Sequence, residues 1–141
     1  MASAKATLDL PVSPDEVWQL IGGFGSLPDW LPGVSQSGFT DGGRVRHLHD
    51  TAGHTFVERL ETYDRAARSY SYSILESPIS VTDYLARLAV TPAAGGGSHI
   101  EWSSTFTPAA ISREEAETVF SGIFSEGLKA LATRFTATTR A

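Results

Sequence analysis

The sequence predicts an α+β fold in which a curved seven-stranded antiparallel sheet wraps around a long C-terminal helix, with two short helices after the first strand. Three observations support this prediction. Segments of alternating apolar and polar residues recur along the chain and are separated by short turn signals. A helix-start pattern follows the first segment, and the end of the chain carries one apolar stripe at helical spacing. The sheet must wrap around this single helix if both apolar faces are to be buried.

The first strand and the two short helices are predicted from the N-terminal part of the chain. Alternation over residues 4–12 predicts a strand whose apolar face consists of Ala4, Ala6, Leu8 and Leu10. Ser13 is a candidate N-cap, Pro14 suits the first helical position, and Gly22-Gly23 is expected to end this helix. A second short helix is predicted over residues 26–30, ended by Pro32-Gly33.

Six further strands and the long helix complete the prediction. The strands are expected over residues 34–39, 44–49, 55–63, 68–76, 82–91 and 99–107. Because the turns between them are short, neighbouring strands are expected to pair antiparallel. The helix is predicted over residues 112–138, where Ser112 and Glu115 form a capping box. Its apolar stripe consists of Val119, Phe120, Ile123, Phe124, Leu128, Leu131 and Phe135.

Composition limits the classes of partner and site. A length of 141 residues fits one domain, which we expect to span 1–141. The net charge is −5 and basic residues are not clustered, so nucleic acid is not expected as a partner. No apolar run approaches membrane-spanning length, so insertion into a membrane is not expected. The chain contains no cysteine, which excludes disulfides, thiolate metal sites and a cysteine nucleophile. Since no secretion signal is visible, we expect a cytoplasmic protein. We also expect a monomer or homodimer without a cofactor.

Four stretches of sequence resemble a known family. They are residues 11–18 (PVSPDEVW), 30–34 (WLPGV), 57–61 (VERLE) and 102–106 (WSSTF). In this order and spacing they resemble the polyketide cyclase/dehydrase and lipid-transport branch of the START/Bet v 1-like (SRPBCC) superfamily, over nearly the whole chain. The resemblance implies a helix-grip fold with an internal cavity for a hydrophobic ligand. In the related plant abscisic-acid receptors, a similar Glu-Arg-Leu stretch supplies a pocket glutamate and a later strand supplies a tyrosine, which match Glu58 and Tyr84.

Glu58 is the most informative candidate site residue. In the strand over residues 55–63, Phe56 and Leu60 identify the inward face, and strand alternation places Glu58 between them on that face. A carboxylate on an apolar surface must be paired, hydrogen-bonded or protonated. Arg46 is a candidate partner, because it shares a strand face with Leu48. Glu58 is therefore expected either to serve a ligand or to form an internal ion pair with Arg46.

Aromatic and small residues complete the predicted cavity. Alternation places Tyr72 and Tyr84 inward, where their hydroxyl groups can contact a ligand, although both rings can equally be core packing. Trp30 is expected near the cavity mouth or as a packing contact between the short helices and the sheet. The loops over residues 49–54 and 76–81 are the predicted mouth. The predicted ligand-binding residues are Trp30, Arg46, Leu48, Phe56, Glu58, Tyr72, Tyr84, Trp102, Val119, Ile123 and Gly127.

The last strand leaves two alternatives open, and the histidines offer no metal site. Apolar alternation turns Trp102 inward, which we favour, whereas alignment to related folds turns Glu101 and Ser103 inward.

His47 and His49 share an outward strand face, and no carboxylate is spaced to complete a metal site with them. We therefore expect no bound metal.

Two functions remain open at this point. The first is binding of a hydrophobic small molecule, aromatic or polyketide-like, in an internal cavity. The alternative is a cyclase- or dehydratase-type enzyme in which the catalytic residues are Glu58, as general acid or base, and Tyr84 or Tyr72, which would polarise a carbonyl group. The Arg46–Glu58 distance discriminates between them: a close pair favours binding or a structural role, and an unpaired carboxyl favours catalysis.

Overall fold

The computed structural model describes residues 2–31 and 34–139, and it leaves the side chains at 35, 36 and 136–139 undescribed. The predicted helix end at Pro32-Gly33 lies outside the described residues. The strands are β1 (Ala2–Leu10), β2 (Val34–Thr40), β3 (Val45–Asp50), β4 (Thr55–Asp64), β5 (Ser69–Glu76), β6 (Val81–Pro92) and β7 (Ser98–Pro108). The helices are α1 (Pro14–Ile21), α2 (Leu27–Trp30) and α3 (Arg113–Thr139).

The seven strands form one antiparallel sheet in the order β1-β7-β6-β5-β4-β3-β2. Strands β2 to β7 are a meander of successive neighbours, while β1 pairs with β7 at the far edge. Helices α1 and α2 connect the two edge strands β1 and β2. The predicted fold class is confirmed in its strand number, its antiparallel pairing and its element order.

Local sequence signals define both ends of α1. The Ser13 hydroxyl oxygen accepts a hydrogen bond from the Glu16 backbone N–H at 3.3 Å, as an N-cap does. Gly22 follows the last helical residue, and its N–H donates to the Trp18 carbonyl. A Cβ atom at Gly22 would lie 2.5 Å from the Trp18 ring, so only glycine fits this helix end.

Helix α3 packs against the inner face of the sheet. The Ser112 hydroxyl oxygen caps it by accepting from the Glu115 N–H at 3.1 Å. The α3 side chains that are fully buried are Ala116, Phe120, Phe124, Leu128 and Leu131. Their rings meet those of the sheet: Phe124 stacks on Trp102 with ring centroids 4.5 Å apart, and Phe120 lies 4.8 Å from Tyr84. The amphipathic stripe of this helix therefore closes the core.

The strand faces follow the predicted alternation except next to two irregularities in β4. Tyr70, Tyr72, Tyr84 and Trp102 are all buried on the inner face, which settles the facing of the last strand in favour of Trp102. The β4–β5 register shifts between Val57 and Glu58 and again between Leu60 and Thr62. Without the second shift Thr62 would share the inner face with Leu60, but the shift reverses the facing and leaves Thr62 exposed.

No helix within residues 2–31 and 34–139 has the length and apolar character needed to cross a membrane.

Candidate functional site

A cavity of about 390 Å³ lies between α3 and the inner face of the sheet. Its wall is mostly apolar and aromatic, and its polar side chains are two tyrosines and three carboxylates. The lining residues are Leu27, Leu31, Val34, Leu48, Asp50, Phe56, Glu58, Tyr72, Ile74, Tyr84, Trp102, Phe120, Gly122, Ile123, Phe124, Glu126 and Gly127. This size and lining are typical of a site for a small apolar molecule.

Glu58 forms a buried ion pair with Arg46 from the neighbouring strand. The two residues are cross-strand partners in β3 and β4. Arg46 Nε donates to Glu58 Oε1 at 2.8 Å, and Arg46 Nη2 lies 2.7 Å from the same oxygen. Among the described residues, no hydrogen bond reaches Glu58 Oε2. Since Glu58 lines the cavity, Oε2 is the carboxylate oxygen that remains available to a ligand.

Arg46 itself lies behind the cavity wall, with 0% of its surface exposed. Its guanidinium stacks on the ring of Phe24 at 4.1 Å and on that of Tyr72 at 4.7 Å, measured to the ring centroids. Nη1 donates to the Phe24 carbonyl oxygen at 2.8 Å and to the Tyr70 hydroxyl oxygen at 3.4 Å. These contacts hold the cation in place and join the loop after α1 to strands β3, β4 and β5.

Burial and the ion pair have opposite effects on the pKa values of Glu58 and of Arg46. Burial raises the pKa of the Glu58 carboxyl, and the adjacent Arg46 charge counteracts part of that rise. Burial, the largest contribution, lowers the pKa of Arg46, but the Glu58 carboxylate and the Tyr70 and Tyr72 side chains together outweigh it, so the net shift is upward and the guanidinium keeps its proton. Burial also raises the pKa of Tyr72 and of Tyr84, so both phenols stay protonated near neutral pH.

The tyrosines belong to an aromatic wall at the closed end of the cavity. Trp102 Nε1 donates to the Tyr72 hydroxyl oxygen at 3.0 Å, which fixes both rings. Tyr72 and Tyr84 lie with ring centroids 6.3 Å apart, and Tyr84 stacks on Phe106 at 6.0 Å. Because the phenols are buried and protonated, each can offer a hydrogen bond on an otherwise apolar surface.

The two acidic lining residues besides Glu58 come from the outer parts of β3 and α3. Asp50 lies at the end of β3, where its carboxylate accepts from the backbone N–H groups of Ala52 and His54 at 3.0 and 2.7 Å. Glu126 is exposed on α3, next to Gly127. Asp50, Gly122 and Glu126 are lining residues that are at least partly exposed, so they mark the side of the cavity that opens to solvent.

The family to which the chain belongs is defined by comparison with known sequences. The family described as polyketide cyclase / dehydrase and lipid transport matches residues 1–136. The chain belongs to this family. The resemblance carried by the four sequence stretches is thereby confirmed.

Solved structures of similar proteins share the fold of this chain. The chain is 49% identical to the protein XoxI from Bacillus cereus, with a TM-score of 0.94 and 96% of each chain covered. It is 48% identical to a Bacillus thuringiensis protein, with a TM-score of 0.93 and coverage of 96% and 99%. A Streptomyces aromatase/cyclase, ZhuI, shares the fold at 18% identity, with a TM-score of 0.72 and coverage of 93% and 88%. The comparison with curated proteins gives no match.

The structure brings most of the sequence-predicted site residues together in one wall. Those that line the cavity are Leu48, Phe56, Glu58, Tyr72, Tyr84, Trp102, Ile123 and Gly127. Whether they contact a ligand stays a prediction. Gly127 gives α3 its close approach, because a Cβ atom there would lie 2.6 Å from Leu31 Cδ1 and 2.9 Å from Trp102 Cζ3.

Three predicted lining residues lie elsewhere. Val119 is 39% exposed, because it sits about 100° around α3 from Phe120, at the edge of the buried stripe. Trp30 is buried against Trp102, with ring centroids 5.6 Å apart, and so packs α2 onto the sheet instead of lining the cavity. Arg46 lies behind the wall because Glu58 and the aromatic rings enclose it.

Sequence reasoning missed the two acidic residues at the open side. Asp50 falls within the predicted mouth loop at residues 49–54, and Glu126 directly precedes the predicted lining residue Gly127. Their closeness to the predicted mouth loop and to Gly127 could have identified them as lining residues. They were not chosen because charged residues in loops and on helix surfaces usually face solvent.

The histidines have local partners and form no metal centre. His47 Nε2 lies 2.8 Å from the Thr40 hydroxyl, and His99 Nδ1 lies 2.7 Å from an Asp9 carboxylate oxygen. Within the part of the chain that the structure describes, no group of three or more metal-ligating side chains occurs.

Proposed function

We propose that this protein binds a hydrophobic small molecule, aromatic or polyketide-like, in the cavity between the sheet and α3. The observation that carries the proposal is the cavity of about 390 Å³ with its aromatic and aliphatic wall. An apolar ligand of suitable size gains free energy by leaving water for such a wall. Membership in a family described as polyketide cyclase / dehydrase and lipid transport supports a ligand of this class.

Two polar groups of the wall would orient the ligand. Glu58 Oε2 can accept a hydrogen bond, and the buried Tyr84 phenol can donate one. Few polar groups in an apolar cavity typically determine orientation and specificity, because an unmatched polar atom is costly there. We therefore propose Glu58 and Tyr84 as the orienting residues.

The Arg46–Glu58 geometry favours binding over the cyclase- or dehydratase-type alternative. A general acid or base must change its protonation state during the reaction. The guanidinium within 2.8 Å of Oε1 stabilises the carboxylate form, which makes Glu58 a weaker proton donor and base than an unpaired buried carboxyl. The short distance supports a fixed, charged acceptor that orients a ligand.

The test combines ligand discovery with a defined probe. Native mass spectrometry of the purified protein is expected to show a co-purified small molecule. In parallel, N-phenyl-1-naphthylamine, an apolar fluorophore with one N–H group, is titrated into the protein. We expect saturable enhancement of its fluorescence with one site per chain.

Matched variants locate the probe. Gly122 lines the cavity and nothing lies within 4 Å of a Cβ placed there, so we expect the Gly122→Leu side chain to occupy cavity space. This variant is expected to weaken probe binding about tenfold, whereas Ser125→Leu, at an exposed position of the same helix, should leave it unchanged.

A second pair tests the carboxylate. Glu58→Gln should weaken probe binding, and Glu61→Gln, an exposed position of the same strand, should not. Thermal melts of the Gln variants separate ligand contact from structural support, because a variant that only loses stability identifies Glu58 as an internal ion-pair residue. Absence of saturable probe binding by the unaltered protein would refute the proposed function.

A further inference from the structure

The charged side chains around the cavity are all of one sign. Among the described residues, the lining contains the carboxylates of Asp50, Glu58 and Glu126 and no lysine, arginine or histidine. The three carboxylates come from three different elements: β3, β4 and α3. A ligand that enters therefore meets a negative potential at the open side and an acceptor inside.

The nearby cation is not available to a ligand. Arg46 is fully buried, with Nε held by Glu58 and Nη1 by the Phe24 carbonyl and the Tyr70 hydroxyl. Its flat faces are covered by the rings of Phe24 and Tyr72. Arg46 does not line the cavity, and Glu58 and the ring of Tyr72 do, so an anionic ligand in the cavity would meet the Glu58 carboxylate and not the guanidinium.

Local hydrogen bonds hold the Asp50 carboxylate at the open side of the cavity. The backbone N–H of His54, the largest contributor, lowers the pKa of Asp50, and the Ala52 N–H adds to the effect. The His54 ring also faces this carboxylate, with Nδ1 3.0 Å from Oδ2. Glu126 is exposed on α3 and supplies the second carboxylate of the open side.

Glu58 supplies the second, independent observation. It is only 6% exposed, it lines the cavity, and no described hydrogen bond reaches its Oε2. An ionised carboxylate can only accept hydrogen bonds, so a ligand group that matches Oε2 must carry an N–H or O–H donor. A carboxylate or phosphate oxygen at this position would instead repel it.

We infer that the cavity selects apolar molecules that carry a hydrogen-bond donor, a hydroxyl or an ammonium group, and that it rejects carboxylates and phosphates. This inference rests on the proposed function and specifies its ligand class. Free fatty acids and phosphorylated lipids are thereby excluded as ligands, and phenols, alcohols and amines with an apolar body remain.

The experiment compares four probes that share one apolar body. They are 2-methylnaphthalene, 2-naphthylmethanol, 2-naphthylmethylamine and 2-naphthoic acid. Affinities are measured at pH 8, above the ordinary titration range of histidine, by naphthalene fluorescence and calorimetry. The alcohol and the amine should bind about tenfold tighter than 2-methylnaphthalene, and the acid about tenfold weaker than the alcohol. The ratio of amine to alcohol affinity then tells which donor is preferred.

A charge reversal at the open side provides the matched variant. Glu126→Lys should raise the affinity for 2-naphthoic acid severalfold and lower that for the amine. Glu114→Lys makes the same change of charge on the same helix, at an exposed position three turns away that does not line the cavity, and should change neither affinity.

The outcomes separate this inference from the function on which it rests. If 2-methylnaphthalene or 2-naphthoic acid binds as tightly as the alcohol and the amine, the donor requirement is refuted while apolar binding stands. Equal effects of the two lysine variants would refute the role of the acidic opening. If none of the four probes binds, the proposed function fails together with the inference.

Discussion

The close approach of α3 to the sheet at Gly127 yields a prediction whose magnitude follows from the structure. Replacing a mid-helix glycine by alanine normally stabilises a protein by about 1 kcal/mol, because the unfolded chain loses conformational freedom. At Gly127 the new Cβ would lie 2.6 Å from Leu31 Cδ1 and 2.9 Å from Trp102 Cζ3. Leu31 can move, but the Trp102 ring is held by its hydrogen bond to Tyr72 and by its stacking on Phe124.

Relieving such an overlap in a packed core costs about 1–3 kcal/mol. After the helix gain is subtracted, Gly127→Ala should lower the free energy of unfolding by about 0–2 kcal/mol. Gly122→Ala is the matched control, because nothing lies within 4 Å of a Cβ at that position of the same helix. It should raise the free energy of unfolding by up to about 1 kcal/mol.

Urea denaturation of both variants measures the difference, which should be about 1–3 kcal/mol in favour of the Gly122 variant. The two substitutions share the same propensity gain, so their difference isolates the contact with Leu31 and Trp102. Equal stabilisation by both alanines would refute the reasoning, since it would mean that α3 does not approach the sheet closely at Gly127.

Two further predictions concern the core and the ion pair. Phe124→Ala should lower the free energy of unfolding by about 3 kcal/mol, because the ring is 1% exposed and stacks on Trp102. Val119→Ala, at an exposed position of the same helix, should change it by about 0.5 kcal/mol or less. A loss below about 1 kcal/mol for Phe124→Ala would contradict its packed environment. Arg46→Met should cost about 3–5 kcal/mol because it leaves Glu58 buried without its cation, and the double variant Arg46→Met/Glu58→Leu should recover most of that loss. Urea denaturation measures the free energy of unfolding of both variants. If Arg46→Met and the double variant are equally stable, the loss does not come from an unpaired Glu58 carboxylate.

Much of the fold was predictable because its signals are local. Alternation in β5, in β6 and around Trp102 in β7 identified the inner face of the sheet. The capping residues Ser13 and Ser112 identified the starts of α1 and α3. Both β4 register shifts escaped prediction, because a bulge depends on pairing with a neighbouring strand and leaves no periodic trace.

The candidate site was predictable in part for the same reason. The inward facing of Glu58 followed from alternation, which also made Arg46 its candidate partner, and the pair is present in the structure. The complete burial of Arg46 did not, because Phe24, which stacks on it, comes from a loop far away in the sequence. Val119 was predicted to line the cavity but is exposed, because helical spacing identifies the apolar stripe of α3 and does not tell how much of its width packs against the sheet.

The position of β1 in the sheet also has a consequence for the kinetics of folding. Strands β2 to β7 pair with sequence neighbours, so each hairpin closes a short loop, whereas the Ala2–Phe106 pairing of β1 with β7 closes a loop of most of the chain. Closing a long loop costs more entropy and is slower. We expect β1 to join last, with hydrogen-exchange pulse labelling showing late protection at β1, and protection of β1 before the hairpins would contradict this order. As long as β1 is unpaired, the β7 edge that it covers is open to another strand, so β1 protects the native sheet from edge-to-edge association at this side.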